Sequence, residues 1–232
     1  MHVGFKAGPA LATGNTFILK PSEKTPFAAL ALGSLIKEAG FPPGVFQVVT
    51  GDGSTGAHYA SHMKVSKVSF TGSTTTGRRI QEMAAKSNLK RITLELGGKS
   101  PAVVFDDADF DNAVAWCANA ITANTGQVCF AASRVYVQEG IYDKFVAAYK
   151  AAMEAKGKAV GDPNSEETVM GPLVDKSQYD RVVGFIERGK QQGKLLTGGG
   201  RVGSEASQST TVLKIPSIPN HVSGLLCAAD HL

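Results

Sequence analysis

Cysteine is scarce in this sequence: Cys117, Cys129 and Cys227 are the only 3 in 232 residues. Three thiols at irregular spacing form neither a disulfide framework nor a zinc motif. The expected compartment is therefore reducing, the cytoplasm, and no metal site is expected. Long apolar runs are missing as well. No stretch approaches the roughly 18 apolar residues of a membrane span, so no membrane partner is expected. No long apolar segment follows Met1-His2-Val3-Gly4-Phe5-Lys6, so no signal peptide is expected either. Charge of one sign is weak, with a net +4 and its densest basic stretch, Lys86 to Arg91, broken by Ser87, Asn88 and Leu89. A nucleic-acid partner is not implied by so diffuse an excess.

What is present suits a globular chain. Hydrophobic residues make up 43% and charged residues 19%, enough to bury a sizeable core in one large domain or two small ones. Short apolar runs alternate with helical patterns. Thr16 to Lys20, Val45 to Val49, Lys67 to Thr71 and Arg91 to Glu95 read as strands. Between them, helices are expected over about Thr25 to Ala39, after a Gly51-Asp52-Gly53 turn towards His62, and over about Thr75 to Ala85. Such alternation predicts parallel βαβ units with covered faces, with ligands bound at the carboxyl ends of the strands. The strand-end residues Lys20, Thr71 and Glu95 are singled out by that rule.

The second half alternates too. Strands are expected at Pro101 to Phe105 and Arg134 to Gln138, and helices from a cap at Asp109 to about Ala123, from Ile141 to Lys156, and from Lys176 to Gln192. After Gly198-Gly199-Gly200 the character changes, and only Val212 to Ile215 reads as a packing element. The expected boundaries are residues 1–95 for a first domain, 96–200 for a second, and 201–232 for a divergent tail.

Four segments could carry chemistry. Cys129 follows Gly126-Gln127-Val128 beside the amide-bearing Asn124 and Gln127, a setting that suits an activated thiol; a buried inert cysteine is the competing reading. Glu95 ends a strand before Leu96-Gly97-Gly98-Lys99, where a carboxylate can act as a general base; a Glu95–Lys99 pair is the alternative. Thr71-Gly72-Ser73-Thr74 leads from a strand into a helix whose first amides can hold a phosphate, or Ser73 or Thr74 simply caps that helix. Lys20 and Glu23 could bind a sugar diol from one turn, or form an ordinary solvated turn.

Together these segments resemble the NAD(P)-dependent aldehyde dehydrogenase superfamily. The likeness rests on Gly8-Pro9-Ala10-Leu11-Ala12-Thr13-Gly14-Asn15, Lys20-Pro21-Ser22-Glu23-Lys24-Thr25-Pro26 and Phe70-Thr71-Gly72-Ser73. Glu95-Leu96-Gly97-Gly98-Lys99-Ser100-Pro101 and Asn124-Thr125-Gly126-Gln127-Val128-Cys129 complete it, in matching order over about residues 4–200. The resemblance implies an α/β fold: a parallel Rossmann-like cofactor half, then an α/β catalytic half. It implies oxidation of a small-molecule aldehyde to a carboxylic acid through a thiohemiacetal and a thioester. Cys129 matches the nucleophile and Glu95 the general base. Lys20 and Glu23 match contacts to the adenosine ribose, Ser73 a pyrophosphate contact, and Leu96 a backbone position near the nicotinamide. Glu23 tilts the expected cofactor towards NAD, with NADP as the second choice.

Both halves are expected to be incomplete. The family's Asn oxyanion donor and its Glu-x-Phe-Gly-Pro loop have no counterpart here, and the chain would correspond to roughly the middle 40% of a family member. Family members are homo-oligomers, and most of the oligomerisation arm is expected to be missing. The alternative reading is a truncated, catalytically inactive fragment.

Overall fold

The computed structural model describes residues 2–202, and the strand backbone at 207–208, 212–214 and 222–227. The chain divides into two compact units, Met1–Leu96 and Gly97–Leu232.

The first unit alternates helix and strand: α1 (His2–Ala12), β1 (Phe17–Leu19), α2 (Phe27–Glu38), β2 (Phe46–Val48), α3 (Gly53–Ser61), β3 (Lys67–Gly72), α4 (Thr74–Ala85) and β4 (Arg91–Leu96). Every strand pairing here is parallel, as the βαβ alternation predicts, in two separate pairs, β1 with β2 and β3 with β4. Phe17 and Phe46 face each other in register and stack at 5.5 Å. Helix α1 is an element the apolar pattern did not reveal, because Gly4, Gly8 and Pro9 interrupt it.

Covered faces are not found on β4. Its residues alternate between exposed Arg91, Thr93 and Glu95 and half-buried Ile92, Leu94 and Leu96. Successive side chains point to opposite faces, and α4 covers only the leucine side. Gly77 permits this packing: a Cβ there would lie 3.0 Å from Leu96 Cδ2.

Helix ends are capped as their sequences suggest. Asp52 accepts from the Ser54 amide at the start of α3, and Ser73 accepts from the Thr76 amide at the start of α4. The end of α3 is held differently. Lys90 is buried, and its ammonium donates to the Ala60 carbonyl at 2.6 Å and to the Ser87 hydroxyl at 2.6 Å. A cation beside the last carbonyls of a helix meets both their unpaired acceptors and the helix dipole. Asn88 adds donations to the Met63 and Val65 carbonyls, with Leu89 left-handed at φ 56° between these two anchors.

The second unit contains β5 (Ser100–Val104), α5 (Phe110–Thr122), β6 (Ala132–Gln138), α6 (Tyr142–Gly157), α7 (Lys176–Gln192), β7 (Lys194–Thr197), β8 (Arg201–Val202), β9 (Ser207–Gln208), β10 (Val212–Lys214) and β11 (Val222–Cys227). One mixed sheet runs in the order β5-β6-β11-β10-β7, parallel only between β5 and β6. Strand β11 was not expected from the sequence: Gly224 dilutes its apolar pattern, and its pairing partner β6 lies far away in the chain. The core lies under β6. Helix α6 presents Tyr142, Phe145, Tyr149 and Met153 along one stripe, and α5 presents Val114, Cys117, Ala118 and Ile121. That spacing is the 3.6-residue period of a helix buried on one side. Phe145 stacks on Tyr149 at 5.7 Å and meets Phe110 edge-on at 6.1 Å. A fully buried side chain such as Phe145 stabilises the fold by about 1.5–3 kcal/mol.

The Lys90 clamp generates a stability prediction. Lys90→Met keeps the aliphatic stem but leaves the Ala60 carbonyl only the Ser87 hydroxyl at 3.5 Å, and should lower the unfolding free energy by about 1–3 kcal/mol. Urea denaturation measures the loss, and amide exchange should report it first in α3.

Candidate active site

The first unit places Lys20 and Glu23 just after β1. The Lys20 side chain is largely covered and donates to the Pro21 carbonyl at 2.9 Å and the Gly51 carbonyl at 2.8 Å. Its ammonium lies 4.0 Å from the exposed Glu23 carboxylate. A lysine ammonium has three donors, so one remains beyond the two carbonyls, next to an acceptor. Asp52 stands on the same side. It is held below the usual carboxylate range chiefly by the Ser54 hydroxyl and amide, with Lys20 as the last contributor.

Ser73, Glu95 and Leu96 gather at the other parallel pair. Thr71 lies in register with Glu95 and Gly72 with Leu96, and Ser73 follows at once as the cap of α4. The capping reading of Ser73 is therefore realised: its hydroxyl accepts from the Thr76 amide and donates to the Thr76 hydroxyl at 2.9 Å. Thr71 has a buried hydroxyl with no partner among the described residues. Buried polar groups are rarely left unpaired, so this strand end has unused donor and acceptor capacity. Glu95 is exposed, and the cation it acts on is Lys6 of α1. Burial pulls Lys6 below its ordinary value, and Glu95 partly restores it. Lys6 also donates to the Ser69 carbonyl at 3.2 Å. Lys6 is not legible in the sequence, because nothing in its neighbours marks a half-buried cation.

Cys129 lies in the second unit, between α5 and β6. The chain leaves α5 and runs through Asn124 at φ 51°, Thr125 at φ 57° and Gly126 at φ 74°. Glycine adopts this left-handed region freely and asparagine tolerates it, but a β-branched threonine does not. Each strained non-glycine residue costs of the order of 1–3 kcal/mol and persists only where its surroundings hold it. Side chains do so here. Asn124 Nδ2 donates to the Gln127 carbonyl at 3.1 Å, and Gln127 Nε2 returns a bond to the Asn124 carbonyl at 3.3 Å. Thr125 Oγ1 donates to the Gly171 carbonyl at 3.1 Å, and Gln127 Oε1 accepts from the Val174 amide at 3.0 Å. The signal for this turn was present in Asn124-Thr125-Gly126, but it identified a glycine turn without revealing that Thr125 shares the left-handed conformation.

The turn delivers Cys129 half-buried, whereas Cys117 is buried in α5. Burial pushes the Cys117 thiol from 9.0 up to about 11. The two described cysteines thus occupy different chemical settings: one sits within the core and the other at a strained turn.

Compared with known protein families, residues 1–223 match the aldehyde dehydrogenase family. The chain belongs to that family. The match reaches past residue 200, further than the quotable motifs carry the resemblance, and takes in β10 and the start of β11. An aldehyde dehydrogenase of Emericella nidulans is 55% identical over 203 residues, covering 87% of this chain and 40% of the relative. The solved γ-glutamyl-γ-aminobutyraldehyde dehydrogenase of Burkholderia cenocepacia J2315 is 45% identical with a TM-score of 0.88, over 92% of this chain and 44% of that one. The solved PnpE, in complex with nicotinamide adenine dinucleotide, is 46% identical with a TM-score of 0.84, over 90% and 44%. The chain therefore spans about 40% of the length of the curated relatives it matches. Among the described residues no helix is long and apolar enough to cross a membrane.

The Cys117 environment predicts a pH dependence. Its folded value lies above its ordinary one, so the unfolded chain releases this proton first as pH rises. The stabilising contribution is complete below pH 9.0 and is lost as pH climbs through about 11. Urea midpoints should fall across that window, and fall less steeply in Cys117→Ala.

Proposed function

We propose that the chain acts in the oxidation of an aldehyde to a carboxylic acid with NAD(P)+, with Cys129 as nucleophile and Glu95 as general base. The observation that carries this reading is family membership across residues 1–223 with both motifs, Glu95 to Pro101 and Gly126 to Cys129, in family order. On this reading residues 1–95 are part of a cofactor-binding domain and residues 96–200 part of the catalytic domain, and the division of the chain after Leu96 supports that boundary.

The residues of the first unit fit a dinucleotide. Lys20 would donate to a ribose hydroxyl with its remaining proton while Glu23 accepts from the same sugar, which favours a free diol and hence NAD over NADP. Ser73 and the first amides of α4 would face the pyrophosphate. The unpartnered Thr71 hydroxyl supports a polar occupant at the same strand end. The Leu96 backbone would lie towards the nicotinamide.

The Cys129 thiolate adds to the aldehyde carbon, and the carbonyl oxygen takes the negative charge as a thiohemiacetal forms. The Cys129 backbone N–H donates to that oxygen, a contact worth about 3–4 kcal/mol in acyl transfer. A nicotinamide held by these residues would supply the hydride acceptor, which would leave Cys129 carrying a thioester. Glu95 then takes a proton from water, the water oxygen attacks the thioester carbon, and the acid leaves as the Cys129 thiolate is restored. A reducing compartment such as the cytoplasm would suit this chemistry, because a thiol nucleophile must stay unoxidised.

A second reading, an inactive fragment of such an enzyme, is motivated by the 40% span. NADH formation by the purified chain with several aldehydes separates the two. Cys129→Ala should abolish turnover, and Glu95→Gln should slow it by about 100-fold or more, the usual weight of a positioned base. Lys20→Met should weaken NAD binding about tenfold by calorimetry, as loss of one charged hydrogen bond does. No turnover above the Cys129→Ala background would favour the inactive fragment.

A further inference from the structure

The turn before Cys129 is tied to a segment far along the chain. That segment, Met170 to Val174, joins the α6 side of the second unit to α7. Its own attachments are firm. Met170 is buried and pairs with Val160, and the Met170 amide donates to the Ala159 carbonyl at 3.1 Å. Leu173 is buried against Val182 and Ile186 of α7. Immediately afterwards Asp175 caps α7 by accepting from the Gln178 amide at 2.8 Å. The segment is thus a strap pinned at both ends.

Two side chains of the turn reach it. Thr125 donates to the Gly171 carbonyl, and Gln127 accepts from the Val174 amide. Both bonds join residues more than 40 positions apart in sequence. Gln127 also uses its amide nitrogen on Asn124, so one side chain bridges the left-handed turn and the strap. Thr125, the residue least suited to its backbone conformation, is the other bridge.

We infer that Gln127 and Thr125 are positioning residues, which latch the turn to the 170–174 strap and thereby hold Cys129 in its half-buried place. The inference rests on the reading of Cys129 as the nucleophile, but its test does not need turnover. With the latch intact, the strained turn has one geometry and Cys129 one exposure. With it cut, Asn124 and Thr125 relax to ordinary backbone and Cys129 swings into solvent, while the core around Cys117 is unaffected.

The test is iodoacetamide labelling of the full chain, with rates read peptide by peptide at Cys129 and Cys117. Gln127→Met and Thr125→Val each remove one bridging bond at nearly constant volume, and each should raise the Cys129 rate about fivefold, the weight of one neutral hydrogen bond. Cys117 should stay as protected as in the parent chain. Thr125→Ser retains the hydroxyl and should keep the parental Cys129 rate. An unchanged Cys129 rate in both bridging variants overturns the inference. So does a parallel rise at Cys117, which would make the bonds general supports of the fold. A parent chain with a latched Cys129 but no NADH formation would sink the enzymatic proposal and leave the latch standing.

Discussion

A strained left-handed turn at Asn124, Thr125 and Gly126 decides where the half-buried thiol of the second unit sits. Such a turn is held only in part by its own Asn124–Gln127 bonds. Left-handed backbone at a β-branched residue is uphill, so the conformation exists because Thr125 and Gln127 find partners on a distant strap. The strap in turn depends on Leu173 and Met170 being buried. Local geometry at Cys129 thus depends in part on the packing of Leu173 against α7.

The first unit solves a different problem, that of gathering polar groups at strand ends without burying unpaired charge. Lys20 satisfies two carbonyls before any ligand is considered. Ser73 is committed to a helix cap, while Thr71 keeps a buried hydroxyl with no partner among the described residues. Parallel pairing carries Glu95 and Leu96 to the level of Thr71 and Gly72. The placement follows from register, because equal strand lengths starting at Lys67 and Arg91 must end together.

Much of this was legible in the amino-acid order. The βαβ alternation, the caps at Asp109 and Ser73, and the full span of α7 are local patterns, and local patterns survive into structure when capping residues and apolar spacing agree. Helix α1 was hidden, since glycine and proline inside a helix erase its periodic signal. The open face of β4 was written in Arg91, Thr93 and Glu95, although the expectation of covered faces overrode it. Strand β11 was invisible for another reason: its pairing with β6 is non-local, and β-propensity depends on context. At the candidate site, the motifs and their order were readable, but the long-range bonds of Gln127 and Thr125 and the half-buried Lys6 were not. No sequence window contains both partners.

The two carbonyls that grip Lys20 have a thermodynamic consequence. A free lysine side chain loses up to about 2 kcal/mol of rotamer freedom when it is immobilised. Here that ordering belongs to folding, and a ligand meeting the third proton finds the ammonium already aimed. Arginine, although it keeps the charge, could not fill the same seat, because a planar fork cannot point three donors from one nitrogen. The position therefore demands the shape of an ammonium as much as its charge.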